Sequence, residues 1–259
     1  MQPTARPSGK VAVISGGSSG IGRAFVEQLH AQGYTVVTCG RDAAKLEKLA
    51  RDFPGVEAGV CDVSDTAALR AFAKDVVGRH PKIDLLISNA GGLRELDFTR
   101  DDIADQDPTE EIRSNLAGAI EWTAAFLPAV RRASPSAIVL VTSGYAMAAS
   151  TRGPVYSAAK YGLRGFAKAL RRQLASHRVT VTEVLPPLVD TPAVAHLSGT
   201  KLSATSVAEL ALAAVSKGKP EVRPGAVRWL PLGLRIAPRL VEKHGRKKLG
   251  NVSPQCVSP

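Results

Sequence analysis

The apolar run Lys10-Val-Ala-Val-Ile-Ser15 passes without a break into Gly16-Gly17-Ser18-Ser19-Gly20-Ile21-Gly22, and a helical pattern from Arg23 to Gln32 follows. A short run without polar alternation suits a strand buried on both faces, which requires helices on both sides of the sheet. Glycines let the backbone turn tightly and approach a pyrophosphate, whose charge meets the free N–H groups at a helix start. Many loops are glycine-rich. Between a buried strand and a helix, however, the turn points to dinucleotide binding, with Gly16, Ser18, Ser19, Gly20, Ile21 and Gly22 as contacts.

The same alternation continues down the chain. Strands are expected at Tyr34–Cys39, Val56–Cys61, Ile83–Ser88, Ala137–Thr142 and Arg178–Leu185. Ser64 is a candidate cap for the helix running to Gly78, and Ser206-Val-Ala-Glu209 reads as a capping box. Asp107-Pro108-Thr109-Glu110 reads as an Asp-capped helix start with Pro at the first position. The expected fold is therefore an α/β doubly wound parallel sheet with helices on both faces, Rossmann-like, in one domain spanning 9–225. A basic extension, 226–259, completes it.

At the end of the second strand a carboxylate would bind ribose hydroxyls in an NAD site. Here that place holds Gly40, with Arg41 next. A guanidinium suits a 2′-phosphate and favours NADP(H) over NAD(H). Arg41 could equally be a solvated loop cation, and Asp42 is better placed to start the next helix.

Ser143, Tyr156 thirteen residues on, and Lys160 four residues later form the candidate proton-transfer group. If Gly153-Pro154 opens a helix, Tyr156 and Lys160 share one face about one turn apart. The ammonium would then draw the phenol pKa down towards neutrality. Taken alone, Tyr-x3-Lys is an ordinary amphipathic face.

Together these motifs resemble the short-chain dehydrogenase/reductase family: Gly16-x3-Gly20-x-Gly22, Asn89-Ala90-Gly91, Asn115, Ser143 and Tyr156-x3-Lys160, over residues 10 to 215. The resemblance implies that Tyr156 is the general acid/base and that Lys160 binds the nicotinamide ribose. It also implies that Ser143 orients the developing alkoxide and that Asn115 binds a water linking Lys160 to solvent. By itself Asn115 would read as a surface residue on a helix. Asn89, Ala90 and Gly91 would support the adenosine side, Asp62 and Val63 the adenine, and Val189 and Thr191 the carboxamide. The chain departs from the family at Ser15, Ser88 and Pro187, where Thr, Asn and Gly are usual. LPPLVDT, CGR and VTSG look like a bacterial subgroup that accompanies cell-wall D-alanylation genes. A homo-oligomer is a further family expectation.

Composition narrows the rest. Hydrophobic residues make up 44% and charged residues 22%, a globular balance. No apolar run approaches the ~18 residues of a membrane span, and MQPTARPSGK lacks a signal-like apolar region. Cys39, Cys61 and Cys256 share no motif spacing, which suits reduced thiols in the cytoplasm; no metal site is expected. Of the net charge of +11, residues 217–250 carry +8: ten Lys/Arg against Glu221 and Glu242. Val227–Lys248 alternates apolar and basic residues, as an amphipathic helix would. Such a helix could pack on a partner subunit, cover the cleft or lie on an anionic membrane; nothing resembles a nucleic-acid module. Residues 1–8 and 250–259 are expected to be disordered.

The reading is an NADP(H)-dependent oxidoreductase interconverting a carbonyl and a secondary alcohol on a small molecule. One rival is a non-redox epimerase or dehydratase on the same scaffold. The other is an NADP-sensing protein docking on a membrane or partner.

Overall fold

The computed structural model describes residues 9–196 and 198–245, without the side chains of Ala193 and 242–245. The expected disorder at 1–8 and 250–259, and the last basic residues of the extension, lie outside that range. Strands β1 (Val11–Ser15), β2 (Thr35–Gly40), β3 (Glu57–Val60), β4 (Leu85–Ser88), β5 (Ser136–Val141), β6 (Val179–Val184) and β9 (Glu221–Val222) form one sheet. Its order is β3-β2-β1-β4-β5-β6-β9, and every pairing is parallel. Two short strands, β7 (Val189–Asp190) and β8 (Leu202–Ser203), pair separately.

Side chains alternate across the sheet, so β1 feeds two cores at once. Val13 joins Leu69, Trp122, Phe126 and Leu170 on one face. Ala12 and Ile14 join Phe25, Leu29, Leu49 and Val207 on the other. The first face is covered by α3 (Thr66–Arg79), α5 (Gly118–Ala133) and α6 (Pro154–Gln173); the second by α1 (Gly20–Ala31), α2 (Ala43–Asp52) and α7 (Ala204–Ser216). Trp122 and Phe126 meet edge-to-face at 4.7 Å, a geometry that adds about 0.5–1.5 kcal/mol beyond burial. At the sheet edge Arg164 of α6 bridges Glu183 of β6 (3.0 Å) and Glu221 of β9 (2.9 Å).

Four local expectations are corrected. Asp65, not Ser64, caps α3: its carboxylate accepts from the N–H groups of Ala67 and Ala68, while Ser64 donates to Asp62. Asp107 does not cap a helix. It takes a left-handed conformation (φ 44°) and its carboxylate engages Arg113 instead of the amides at the helix start. The helix turn α4 (Glu110–Ile112) begins after Thr109 and runs into a π turn, Arg113–Ala117, before α5. Ser203 rather than Ser206 caps α7, accepting from the N–H of Ser206. The extension is not one helix: a 3-10 stretch, Gly225–Trp229, leads to α8 (Leu230–Ile236), and Ala237 separates it from α9 (Pro238–Gly245), which opens on a proline. Proline lacks the N–H that continuing the helix needs.

Candidate active site

Parallel strands deliver all their following loops to one edge, and the sheet order reverses direction between β1 and β4, where such folds bind ligands. The glycine turn Gly16–Gly20 leaves β1 there. Gly16 and Gly20 have φ of 72° and 55°, a region L side chains avoid. A Cβ on Gly22 would overlap Gly16 O, so no larger residue fits that crossing. Ser15 Oγ accepts the N–H groups of Asn89 (2.9 Å) and Ala90 (3.0 Å), while Asn89 Nδ2 donates to Ser15 O and Gly16 O (both 3.2 Å). The mild departure from Thr to Ser thus keeps the hydroxyl that stitches the β1 and β4 loops together. Thr38 of β2 adds a second stitch, accepting from Gly17 N (3.1 Å) and donating to Ile14 O (2.8 Å).

Ser19 is the N-cap of α1, yet its side chain caps nothing, and the first turn holds no acid. Those amides and the positive end of the helix dipole are free for an anion. Beside them β2 ends at Gly40, where a Cβ would stand 3.1 Å from Ser18 Oγ. Arg41 follows, exposed, and Asp42 is engaged as the cap of α2. Asp62 lies after β3, tied to Ser64. Val63 and Val189 bury their side chains in the core, so any ligand contact they make comes through the backbone. Thr191 approaches Gly20, bringing the loop after β6 to the same turn. Pro186 O accepts from Gly144 N (2.9 Å) and Pro187 packs near Gly225, so the double proline is absorbed by its neighbours.

Ser143 leaves β5, and Pro154 at the first position opens α6 as the spacing requires. The Ser143 hydroxyl lies near the Tyr156 phenol and favours its ionised form. Lys160 Nζ sits 5.5 Å from the centre of the Tyr156 ring and donates to Val141 O (3.1 Å). Lys160 is 4% exposed. Desolvation dominates both groups: the Tyr156 phenol is pushed up to about 12, against the lowering effect of Ser143, and the Lys160 ammonium down to about 8. The expected fall in the Tyr156 pKa is therefore reversed in the protein by itself, because burial opposes a phenolate more than its neighbours favour one.

Asn115 lies in the π turn, 1% exposed, not on a solvated helix face. Inserting one extra residue into a helix is a recurrent way of re-aiming a side chain at a functional site. Its Nδ2 donates to Gly92 O (2.9 Å), its Oδ1 is buried without a hydrogen-bond partner, and a Cβ on Gly91 would collide with that oxygen.

Four contributors escaped the sequence reading. Thr38 is one of two threonines in β2. Tyr145 donates its N–H to Ser143 Oγ (3.1 Å) and sets its ring edge-to-face on Tyr156 at 6.3 Å. Glu111 is 4% exposed beside the same pair, although acids at a helix start normally face water. Val227, from the extension, is buried against Gly144 next to Ser143.

The short chain dehydrogenase family matches residues 10–201. The chain is a member of that family. It is 36% identical to the uncharacterized oxidoreductase DltE of Bacillus subtilis over 182 residues, covering 69% of this chain and 71% of that one. It is 33% identical to the short-chain type dehydrogenase/reductase y4mP of Sinorhizobium fredii over 229 residues, 85% of this chain and 86% of the other. The crystal structure of a short chain dehydrogenase from Burkholderia cenocepacia in complex with NADP superposes with a TM-score of 0.81 at 26% identity, covering 92% of this chain and 98% of that one. This short-chain dehydrogenase is thus an oxidoreductase-family enzyme on a Rossmann-like sheet. Among the described residues no helix is long and apolar enough to cross a membrane.

Proposed function

We propose that this short-chain dehydrogenase interconverts a carbonyl and a secondary alcohol on a small organic substrate with NADP(H). The convergence of Ser143, Tyr156 and Lys160 carries the reading. The nicotinamide cofactor, when bound, supplies or accepts the hydride. The cradle fits it: the uncapped α1 amides suit its pyrophosphate, and Gly16, Gly20 and Gly22 leave room that a Cβ would fill. Ser18, Ser19, Ile21, Asn89, Ala90, Gly91, Asp62 and Thr191 are the further proposed contacts of the cofactor, with Val63 and Val189 contributing backbone.

Tyr156 keeps its proton at neutral pH, so it is ready to donate to a carbonyl oxygen. Ser143 holds the oxygen on which charge develops, a preorganised donor of the oxyanion-hole kind. Lys160 binds the ribose and, with Asn115, links the phenol to solvent. NADP(H) over NAD(H) is favoured by Gly40 in place of a carboxylate and by Arg41 beside it; the Burkholderia relative holding NADP supports it. Tyr156→Phe should abolish turnover while leaving NADPH binding intact; unchanged turnover would sink the mechanism. NADPH consumption against a carbonyl panel separates this reaction from an epimerase or dehydratase, which would consume none.

A second reading concerns residues 226–259, treated as an extension of the 9–225 domain. Trp229, Leu232, Ile236 and Leu240 are exposed, at 61%, 52%, 72% and 65%, in a segment rich in arginine. Such a face fits peripheral contact with an anionic membrane, or packing between copies in a homo-oligomer. Co-sedimentation of the full chain with anionic liposomes, lost in Leu232→Asp/Ile236→Asp, would support the membrane; a concentration-dependent dimer lost in the same variant would replace it. The free, buried thiols of Cys39 and Cys61 support a cytoplasmic placement.

A further inference from the structure

A buried carboxyl that the proposed mechanism does not use sits beside its proton donor. Glu111 is the second residue of the α4 turn, which packs on α6. Its Oε1 accepts the backbone N–H of Arg94 at 2.7 Å, which fixes the carboxyl against the loop after β4. Its Oε2 is buried with no hydrogen-bond partner. Asn115 Oδ1, a turn further along, is a second buried acceptor in the same condition.

An unpaired carboxyl in a dry place is held there at a cost, and such groups cluster where charge must be controlled. The charges that reach it are few. Arg94 is next to it but its guanidinium is engaged with Glu110 and Gln106 O. Glu110 acts against its ionisation, and across the packing surface α6 presents Lys160 and Tyr156. Lys160 Nζ donates to Val141 O, a neutral carbonyl. Glu111 is the negative group that supports its ammonium.

We propose that Glu111 is a positioning residue for proton transfer: fixed by Arg94 N and otherwise unpaired, its carboxylate holds buried Lys160 in the ammonium form beside Tyr156. This rests on the proposed role of Tyr156 only for its effect on turnover, not for the electrostatic coupling itself. Burial pushes the Glu111 carboxyl up and the Lys160 ammonium down. Each group is therefore charged more readily when the other is. Glu111 touches no substrate and forms no bond in the reaction. Its own charge opposes a Tyr156 phenolate, so its part is to keep Lys160 charged while Tyr156 stays protonated as the donor.

The experiment is a titration of the full chain labelled at lysine and glutamate with 13C, in wild type, Glu111→Gln and Lys160→Met. Lysine resonances are assigned by their loss in Lys160→Met and the Glu111 resonance by its loss in Glu111→Gln. The amide oxygen of the introduced glutamine can still accept the Arg94 N–H, so the loop anchor is kept. Removing an opposite charge at short range shifts a pKa by about one unit or more. The Lys160 midpoint should therefore fall about one pH unit in Glu111→Gln, a tenfold fall in the ammonium-to-amine ratio at fixed pH. Reciprocity requires the Glu111 midpoint to rise by a like amount in Lys160→Met, and that arm decides the matter if the glutamine variant fails to fold. In carbonyl reduction, the alkaline limb of the kcat profile should move down with the Lys160 midpoint. Unmoved midpoints would overturn the inference. Shifted midpoints without NADPH-dependent turnover in wild type would leave the coupling standing and refute the reaction instead.

Discussion

Replacing Lys160 by Met tests directly whether a buried charge is held in this site. The methionine stem fills a similar volume without the ammonium. In the folded chain Lys160 titrates at about 8, against roughly 10.4 when unfolded. Between those values the unfolded chain holds a proton that the folded chain has lost, so wild-type stability rises with pH through the window. Below 8 none of this gain is present, and above ~10.4 all of it is. From pH 7 to pH 9.5 the gain is about 2 kcal/mol, the free energy of a roughly thirtyfold change in the ratio of proton-binding factors. Tyr156, held up at about 12, does not titrate in this interval. Lys160→Met lacks the gain, so its stability relative to wild type should fall by about 2 kcal/mol between the two pH values. Urea unfolding of both proteins at pH 7 and 9.5 measures this; with a slope of ~3 kcal/mol/M it is a relative midpoint shift of ~0.7 M. A difference that stays constant with pH would mean that Lys160 titrates as an exposed amine, and the desolvation argument would fail.

Three other substitutions probe the cradle. Arg41→Ala should raise KM for NADPH about tenfold or more, by loss of charge-assisted bonds, and leave KM for NADH little changed; equal effects would refute the 2′-phosphate role. Gly91→Ala places a Cβ against Asn115 Oδ1 at φ 152°, and should cost about 1–3 kcal/mol in urea unfolding and most of the turnover. Thr38→Val keeps the shape but removes the hydroxyl between Gly17 N and Ile14 O; a loss of about 1–3 kcal/mol is expected, and a neutral effect would show that Gly17 is satisfied without it.

The layers were legible because local rules imposed them. Runs such as VAVIS, LLIS and SAIVLV carry no polar alternation, so only a sheet covered on both faces could take them. Gly22 had to be glycine because another backbone crosses it. Tyr156 and Lys160 share a helix face whatever surrounds them, because four residues make about one turn.

What tertiary structure decided were the environments. Asn115 and Glu111 sit near a helix start that reads as solvated, yet the π turn and the packing of α4 on α6 bury both. Asp107 had the residue type of a cap, but Arg113 took its carboxylate. The direction of the Tyr156 shift could not follow from the Lys160 spacing, since desolvation is set by every element that closes over the ring and not by the residue four places on. The extension, for which the sequence left packing on a subunit, over the cleft or on a membrane open, sends Val227 to Gly144 beside Ser143. Spacing along one chain determines which groups can share a face; the free energy of charging them depends on what the rest of the chain removes from water.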